Sequence, residues 1–111
     1  MKILFVCFGN AQRSPSFEKW FKDNSSHNVM SAGTDWQCPC PVTDELLDWA
    51  DKVFVMDIEQ ELYINEHHHD FLPKIEVIGV SDQYSRESPE INRIIRYWAM
   101  KKELTDELFM S

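Results

Sequence analysis

Lys2–Cys7 reads KILFVC, one lysine followed by an unbroken apolar run, and the run stops at Gly9 and Asn10. A stretch of that length without alternation fits a strand covered on both faces, as at the centre of a parallel sheet. Beyond the break, Phe17, Trp20 and Phe21 recur at helical spacing, and Pro15 lies where a first turn tolerates proline. The chain therefore opens as strand, loop, helix.

The same alternation continues. A short segment from His27 to Ser31 precedes a loop containing Gly33, Pro39 and Pro41, and a helix is expected from about Thr43 to Ala50 with Thr43 as N-cap. Strand Lys52 to Met56, helix Ile58 to about His67 and the apolar strand Ile75 to Val80 follow. Ser88-Pro89-Glu90 then opens a last helix on which Ile91, Ile94, Ile95 and Trp98 form one stripe. Strands alternating with helices predict an α/β fold, a doubly wound parallel sheet of about four strands with helices on both faces. With no repeat, low-complexity tract or linker, residues 1–111 are expected to form a single domain. A domain of that length buries about two-thirds of its unfolded surface, and an apolar content of 43% supplies one core. In open sheets of this kind ligands bind at the carboxyl ends of the strands, where the regions of Cys7, Gly33, Asp57 and Asp82 should gather.

Charge narrows the partners. With 11 Lys and Arg against 19 Asp and Glu, the net charge is −8, which disfavours nucleic acid and anionic membrane surfaces and repels phosphorylated substrates at long range. An anion site in this chain must be a local device of backbone N–H groups and one or two arginines. Met1 to Val6 read as neither a signal peptide nor a membrane span, so a cytoplasmic location is expected. Thiols stay reduced there, and Cys7, Cys38 and Cys40 read as reactive, metal-binding or buried rather than as a disulfide framework. The Asn24-Ser25-Ser26 sequon then has no use.

The segment Cys7-Phe8-Gly9-Asn10-Ala11-Gln12-Arg13-Ser14-Pro15 is a C-x5-R-S loop between a buried strand and a helix N-terminus. A loop of that span can curl so that successive N–H groups point inward, an anion nest at the positive end of the helix dipole. Gly9 and Asn10 are the positions expected to take the left-handed backbone values of such a curl. The nest, the helix terminus and a guanidinium all favour the thiolate of a cysteine placed there. Arg13 offers two phosphate oxygens a planar fork, and the Ser14 hydroxyl can hydrogen-bond the Cys7 sulfur as it becomes a leaving group. Phe8, Gly9, Asn10, Ala11, Gln12, Arg13 and Ser14 are thus the candidate phosphate-binding residues.

Through ILFVCFGNAQRSP, the SAGT of Ser31 to Thr34, and the order and spacing of its elements, the chain resembles the low molecular weight protein tyrosine phosphatases over nearly its whole length. It is similar to the compact, bacterial-type branch. The resemblance implies Cys7 as nucleophile, Arg13 as phosphate binder and Ser14 as thiolate partner. It also implies a general acid in an Asp-Pro-Tyr stretch, for which Ser81-Asp82-Gln83-Tyr84 makes Asp82 the candidate, with Gln83 in place of the proline. Many members carry a second cysteine just before the loop arginine, where this chain has Gln12. Tyr84 and Trp36 would be the rim aromatics that stack on an aryl phosphate.

Other signals carry less. Cys38-Pro39-Cys40 lacks a second pair and falls short of a zinc site. His67-His68-His69 suits a helix C-terminus, and Asp44, Glu45, Asp48 and Asp51 read as a solvated helix face. The expectation is hydrolysis of phosphotyrosine or a small aryl phosphate through a cysteinyl-phosphate intermediate, with no metal or organic cofactor, by a monomer or weak dimer. The competing readings are an arsenate reductase-like thiol enzyme, which Cys38 and Cys40 would serve, and a catalytically weak phosphate-binding module.

Overall fold

The computed structural model describes residues 1–68, 70–81, 83–86 and 88–104. Its elements run β1 (Lys2–Cys7), α1 (Arg13–Asn24), β2 (Asn28–Gly33), α2 (Asp44–Trp49), β3 (Lys52–Val55), α3 (Ile58–His67), a 3-10 turn at Leu72–Lys74, β4 (Ile75–Val77) and α4 (Pro89–Lys101). The strands form one parallel sheet in the order β2-β1-β3-β4.

Side chains of a strand alternate between the faces of the sheet, and β1 divides its apolar run accordingly. Ile3, Phe5 and Cys7 join Phe17 and Phe21 of α1, Phe54, and Ile91, Ile95 and Trp98 of α4 in one core layer. Leu4 and Val6 join Leu47 of α2, Val53 and Val55 of β3, and Ile64 of α3 in the other. The doubly wound sheet with helices on both faces is what the alternation of the sequence calls for. Phe5 is the hub of the first layer, with ring centroids 5.1 Å from Phe17, 5.3 Å from Phe21 and 5.8 Å from Phe54. Each such buried ring contributes about 1.5–3 kcal/mol.

The helices start where their caps permit. The Thr43 hydroxyl accepts the N–H of Leu46, the Ser88 hydroxyl that of Ile91 ahead of Pro89, and Asp57 and Gln60 form a reciprocal capping box. Helix α1 differs, because Gln12 stands at its N-cap position without capping it by its side chain.

Three boundaries depart from expectation. β2 extends to Gly33 because Gly33 pairs with Cys7 at the end of β1. β3 ends at Val55, one residue short of Met56. β4 covers only Ile75–Val77 and does not reach Val80, since Gly79 takes φ +87 and turns the chain, so that the N–H groups of Gly79 and Val80 both reach the Met56 carbonyl. The register aligns Cys7 with Gly33, and Val55 with Val6 and Val77. The ends of all four strands therefore lie along one edge. Among the described residues, no helix is long and apolar enough to cross a membrane.

Candidate active site

The loop after β1 is shaped by its two neighbours. The N–H of Thr34 donates to the Cys7 carbonyl (3.0 Å) and that of Asp35 to the Phe8 carbonyl (2.9 Å), which fastens the start of the loop to the chain leaving β2. Gly33 makes this approach possible. A Cβ there would lie 2.6 Å from the Phe8 carbonyl oxygen and 2.7 Å from the Cys38 sulfur.

The curl is taken at one residue rather than two. Asn10 has φ 49, whereas Gly9 is not left-handed, which corrects the expectation for Gly9. One such residue is enough to turn the loop inward, and the Asn10 side chain braces it by accepting from the Ser14 hydroxyl at 3.1 Å. The result aims the Asn10 N–H at the Cys7 sulfur, 3.1 Å away.

The Cys7 sulfur is buried beside the fully buried Ser14, 3.0 Å from its Oγ. The Ser14 hydroxyl also lies within reach of Asn10 Oδ1 and, at 3.3 Å, of the Ala32 carbonyl. A hydroxyl has one proton to donate. Towards a thiol it can accept from sulfur and give its proton to Asn10 or Ala32, and towards a thiolate it can turn the proton onto sulfur. The position can therefore serve both forms of Cys7.

Arg13 is 6% exposed, and its charge is balanced within the fold. Nη1 donates to Asp57 Oδ2 at 3.1 Å and to the Val80 carbonyl at 2.8 Å. Those bonds occupy one end of the guanidinium, while Nε and Nη2 carry the remaining donors of the five that an arginine has. Arg13, Cys7, Phe8, Gly9, Ala11 and Gln12 line a pocket of about 200 Å³.

The rim residues lie apart from that lining. Trp36 is 75% exposed, one residue beyond the Asp35–Phe8 hydrogen bond. Tyr84 is half-buried against the core layer of α1 and α4, and it lines a separate groove with Glu90, Arg93 and Tyr97. Asp82 lies outside the described residues. The exposed aromatic in the pocket wall is Phe8, at 58%.

Cys38 and Cys40 are free thiols. The Cys40 carbonyl accepts the Gly33 N–H, and burial, then Cys38, then Glu18 push the Cys40 thiol above its ordinary value. His67 ends α3 with its ring 4.2 Å from that of Tyr63, and His68 Nδ1 meets Asp44 Oδ1 at 2.6 Å, while His69 lies outside the described residues. Among the described residues no three His, Cys, Asp or Glu side chains are grouped to hold a metal.

Two contacts of the site had no signal in the sequence. The anchoring of Arg13 by Asp57 spans 44 positions, and a bond from the Arg86 N–H to Gln12 Oε1 spans 74.

Neither protein-family models nor curated proteins match this chain. Solved structures do. A YwlE mutant from Bacillus subtilis is 25% identical, over 93% of this chain and 99% of its own, with a TM-score of 0.73. A YwlE arginine phosphatase mutant with a phosphorylated active-site serine is 24% identical, over 98% and 99%, with a TM-score of 0.74. The low molecular weight protein tyrosine phosphatase of Streptococcus pyogenes is 22% identical, over 98% and 96%, with a TM-score of 0.79. By its fold, the chain is a structural relative of the low molecular weight protein tyrosine phosphatases, the cysteine-dependent enzymes that its loop resembles.

Proposed function

We propose that this protein hydrolyses phosphotyrosine or similar aryl phosphates through a cysteinyl-phosphate intermediate. The observation that carries the reading is the Cys7 sulfur held between the Asn10 N–H and the Ser14 hydroxyl, beside an anchored Arg13. In the first step the thiolate attacks phosphorus, a P–S bond forms and the ester P–O bond breaks. The departing oxygen takes a proton from a general acid, the role proposed for Asp82. Water then attacks phosphorus, giving its proton back to that acid, and the P–S bond breaks to release inorganic phosphate and the thiolate, which Ser14 stabilises. Arg13 and the loop N–H groups stabilise charge on the transferring phosphoryl group, ordinarily the largest contribution in such chemistry.

An aryl ester suits a pocket walled by the exposed ring of Phe8, with Trp36 nearby in the chain that Phe8 holds. The test is to give the purified protein a phosphotyrosyl peptide, a phosphoarginyl peptide, an alkyl phosphate, and arsenate with a thiol reductant. Preferential release of phosphate from the phosphotyrosyl peptide is expected. Turnover confined to phosphoarginine or to arsenate would replace the substrate assignment. Binding of phosphate without any turnover would leave only a phosphate-binding module.

A further inference from the structure

Gly33 stands beside Cys7 at the paired ends of β2 and β1. Partners in a register direct their side chains to the same face of the sheet, so the space above Gly33 adjoins the Cys7 side chain. Gly33 has no side chain to fill that space, and the Cys38 sulfur occupies it, 2.7 Å from where a Cβ would lie. The same point is 3.0 Å from the Asn10 nitrogen, whose N–H donates to the Cys7 sulfur at 3.1 Å. The Asn10 N–H thus adjoins both the Cys7 sulfur and the space that Cys38 fills. Cys38 is carried on a turn, its N–H donating to the Asp35 carbonyl at 3.0 Å, and its side chain is half-buried rather than sealed in the core. Cys40 is placed otherwise. It packs against the core layer on the opposite face of the sheet from Cys7, and burial holds its proton above the ordinary value.

We infer that Cys38 is the resolving thiol of Cys7: when a hydroperoxide oxidises Cys7, Cys38 closes a disulfide with it. In the first step the Cys7 thiolate attacks one peroxide oxygen, the O–O bond breaks and hydroxide leaves, giving Cys7 sulfenic acid. The Cys38 sulfur then attacks the Cys7 sulfur, the S–O bond breaks, and the departing hydroxyl leaves as water with the Cys38 proton. Two electrons pass from the two sulfurs to the peroxide. An S–S bond is about 2.05 Å long, so closure draws the sulfurs together past Asn10, whose N–H gives up its bond to Cys7. The consequence for activity, a reversible arrest in place of permanent loss, rests on the proposed phosphatase reading, whereas the disulfide itself does not.

The reduced protein, freed of reductant, is given hydrogen peroxide, blocked with iodoacetamide and mapped by mass spectrometry without reduction. A disulfide between Cys7 and Cys38 is expected as the main product, with activity on an aryl phosphate lost in step and restored by dithiothreitol. In Cys38→Ser, Cys7 should proceed to sulfinic acid, and the activity recovered by dithiothreitol should fall about tenfold. Cys40→Ser should keep both the disulfide and the recovery. A main product that joins Cys40 to either other cysteine, or Cys7 sulfinic acid forming as fast in the wild type as in Cys38→Ser, overturns the inference. If the unoxidised protein hydrolyses no ester, the phosphatase reading falls, and the peptide map by itself decides whether Cys38 resolves Cys7.

Discussion

The Arg13 guanidinium and the Asp57 carboxylate meet at 3.1 Å across the end of the sheet, joining the loop after β1 to the cap of α3. Each partner has a second task. Asp57 Oδ1 accepts the Glu59 N–H and starts the helix, while the other oxygen faces Arg13. The arginine side chain is 8% exposed and the carboxylate 39%, so the charge that water has largely left is compensated by one that water still reaches. A buried guanidinium without such a partner would carry a heavy desolvation cost. The same contact fixes which end of the fork points toward the pocket.

Asp57→Asn separates these tasks. Its Oδ1 can still cap α3, but the ion pair is lost, and an amide NH₂ turned toward Nη1 would set donor against donor. Stability is expected to fall by about 1 kcal/mol, the modest loss suited to a partly exposed pair. Misorientation of the fork should lower kcat/KM for an aryl phosphate about tenfold. Urea unfolding and steady-state kinetics on the same preparation check both. A lowered KM with full kcat would mean instead that Asp57 restrains the positive charge of the site rather than orienting it.

Substitutions within the loop separate covalent chemistry from anion binding. Cys7→Ser removes the nucleophile but leaves the N–H groups and Arg13, so turnover should vanish while phosphate or vanadate still binds. Arg13→Lys puts a point charge where a planar fork was and cannot keep the bonds to Asp57 and Val80 while presenting two donors to phosphate. Activity should fall at least a hundredfold. Substantial turnover by Cys7→Ser would exclude the thiol as nucleophile, and near wild-type kinetics in Arg13→Lys would remove the arginine from the site. Calorimetry with vanadate supplies the binding arm.

The reach of the sequence follows from how local each feature is. The apolar run into Cys7, the C-x5-R-S spacing and the caps at Thr43 and Ser88 are written within a few residues of one another, and the fold uses them as read. The end of β4 was hidden because IEVIGV stays apolar through Val80, while a single positive φ at Gly79 decides where pairing stops. The division of labour between Gly9 and Asn10 was equally hidden, since either residue type tolerates the left-handed region. Asp57 was visible as a strand-end carboxylate but not as the partner of Arg13. Nothing in the chain near Gln12 announces Arg86. Contacts across 44 or 74 positions come from the crossovers, and only the folded sheet brings them together.

Gly33 offers a test of how closely the loop and β2 are fitted. An added methyl would meet the Phe8 carbonyl oxygen at 2.6 Å, and that atom is backbone, already held by the Asp35 N–H at 2.9 Å. It cannot swing aside as a side-chain tip would. Gly33→Ala should cost about 1–3 kcal/mol, the usual range for overpacking, and should lower activity beyond what the stability loss explains because the loop itself must shift. Denaturant midpoints with kinetics at a temperature where the variant is fully folded measure the two effects. Unchanged stability would show that the sheet edge relaxes at no cost.

The thiol of Cys40 ties reactivity to folding. Burial raises its proton affinity most, and the neighbouring Cys38 and the Glu18 carboxylate add to it, so the folded state holds the proton above the ordinary value of 9.0. Because thiolate is the reactive form, iodoacetamide labelling of Cys40 in the native protein should begin at higher pH than in the urea-unfolded chain. The sign for stability follows from the same difference. Below the unfolded pKa both states carry the proton and the contribution is complete; as pH rises through the raised folded value, the unfolded chain has already released its proton and stability is lost. Glu18→Gln should move the native labelling profile slightly to lower pH, and Cys38→Ser should do the same, with burial retaining most of the displacement in both. Mass spectrometry after short labelling pulses across pH 7 to 11, on native and unfolded protein, reads the two profiles directly. Coincident profiles would mean that Cys40 titrates as freely in the fold as out of it, and the assignment of burial as the leading cause would fail.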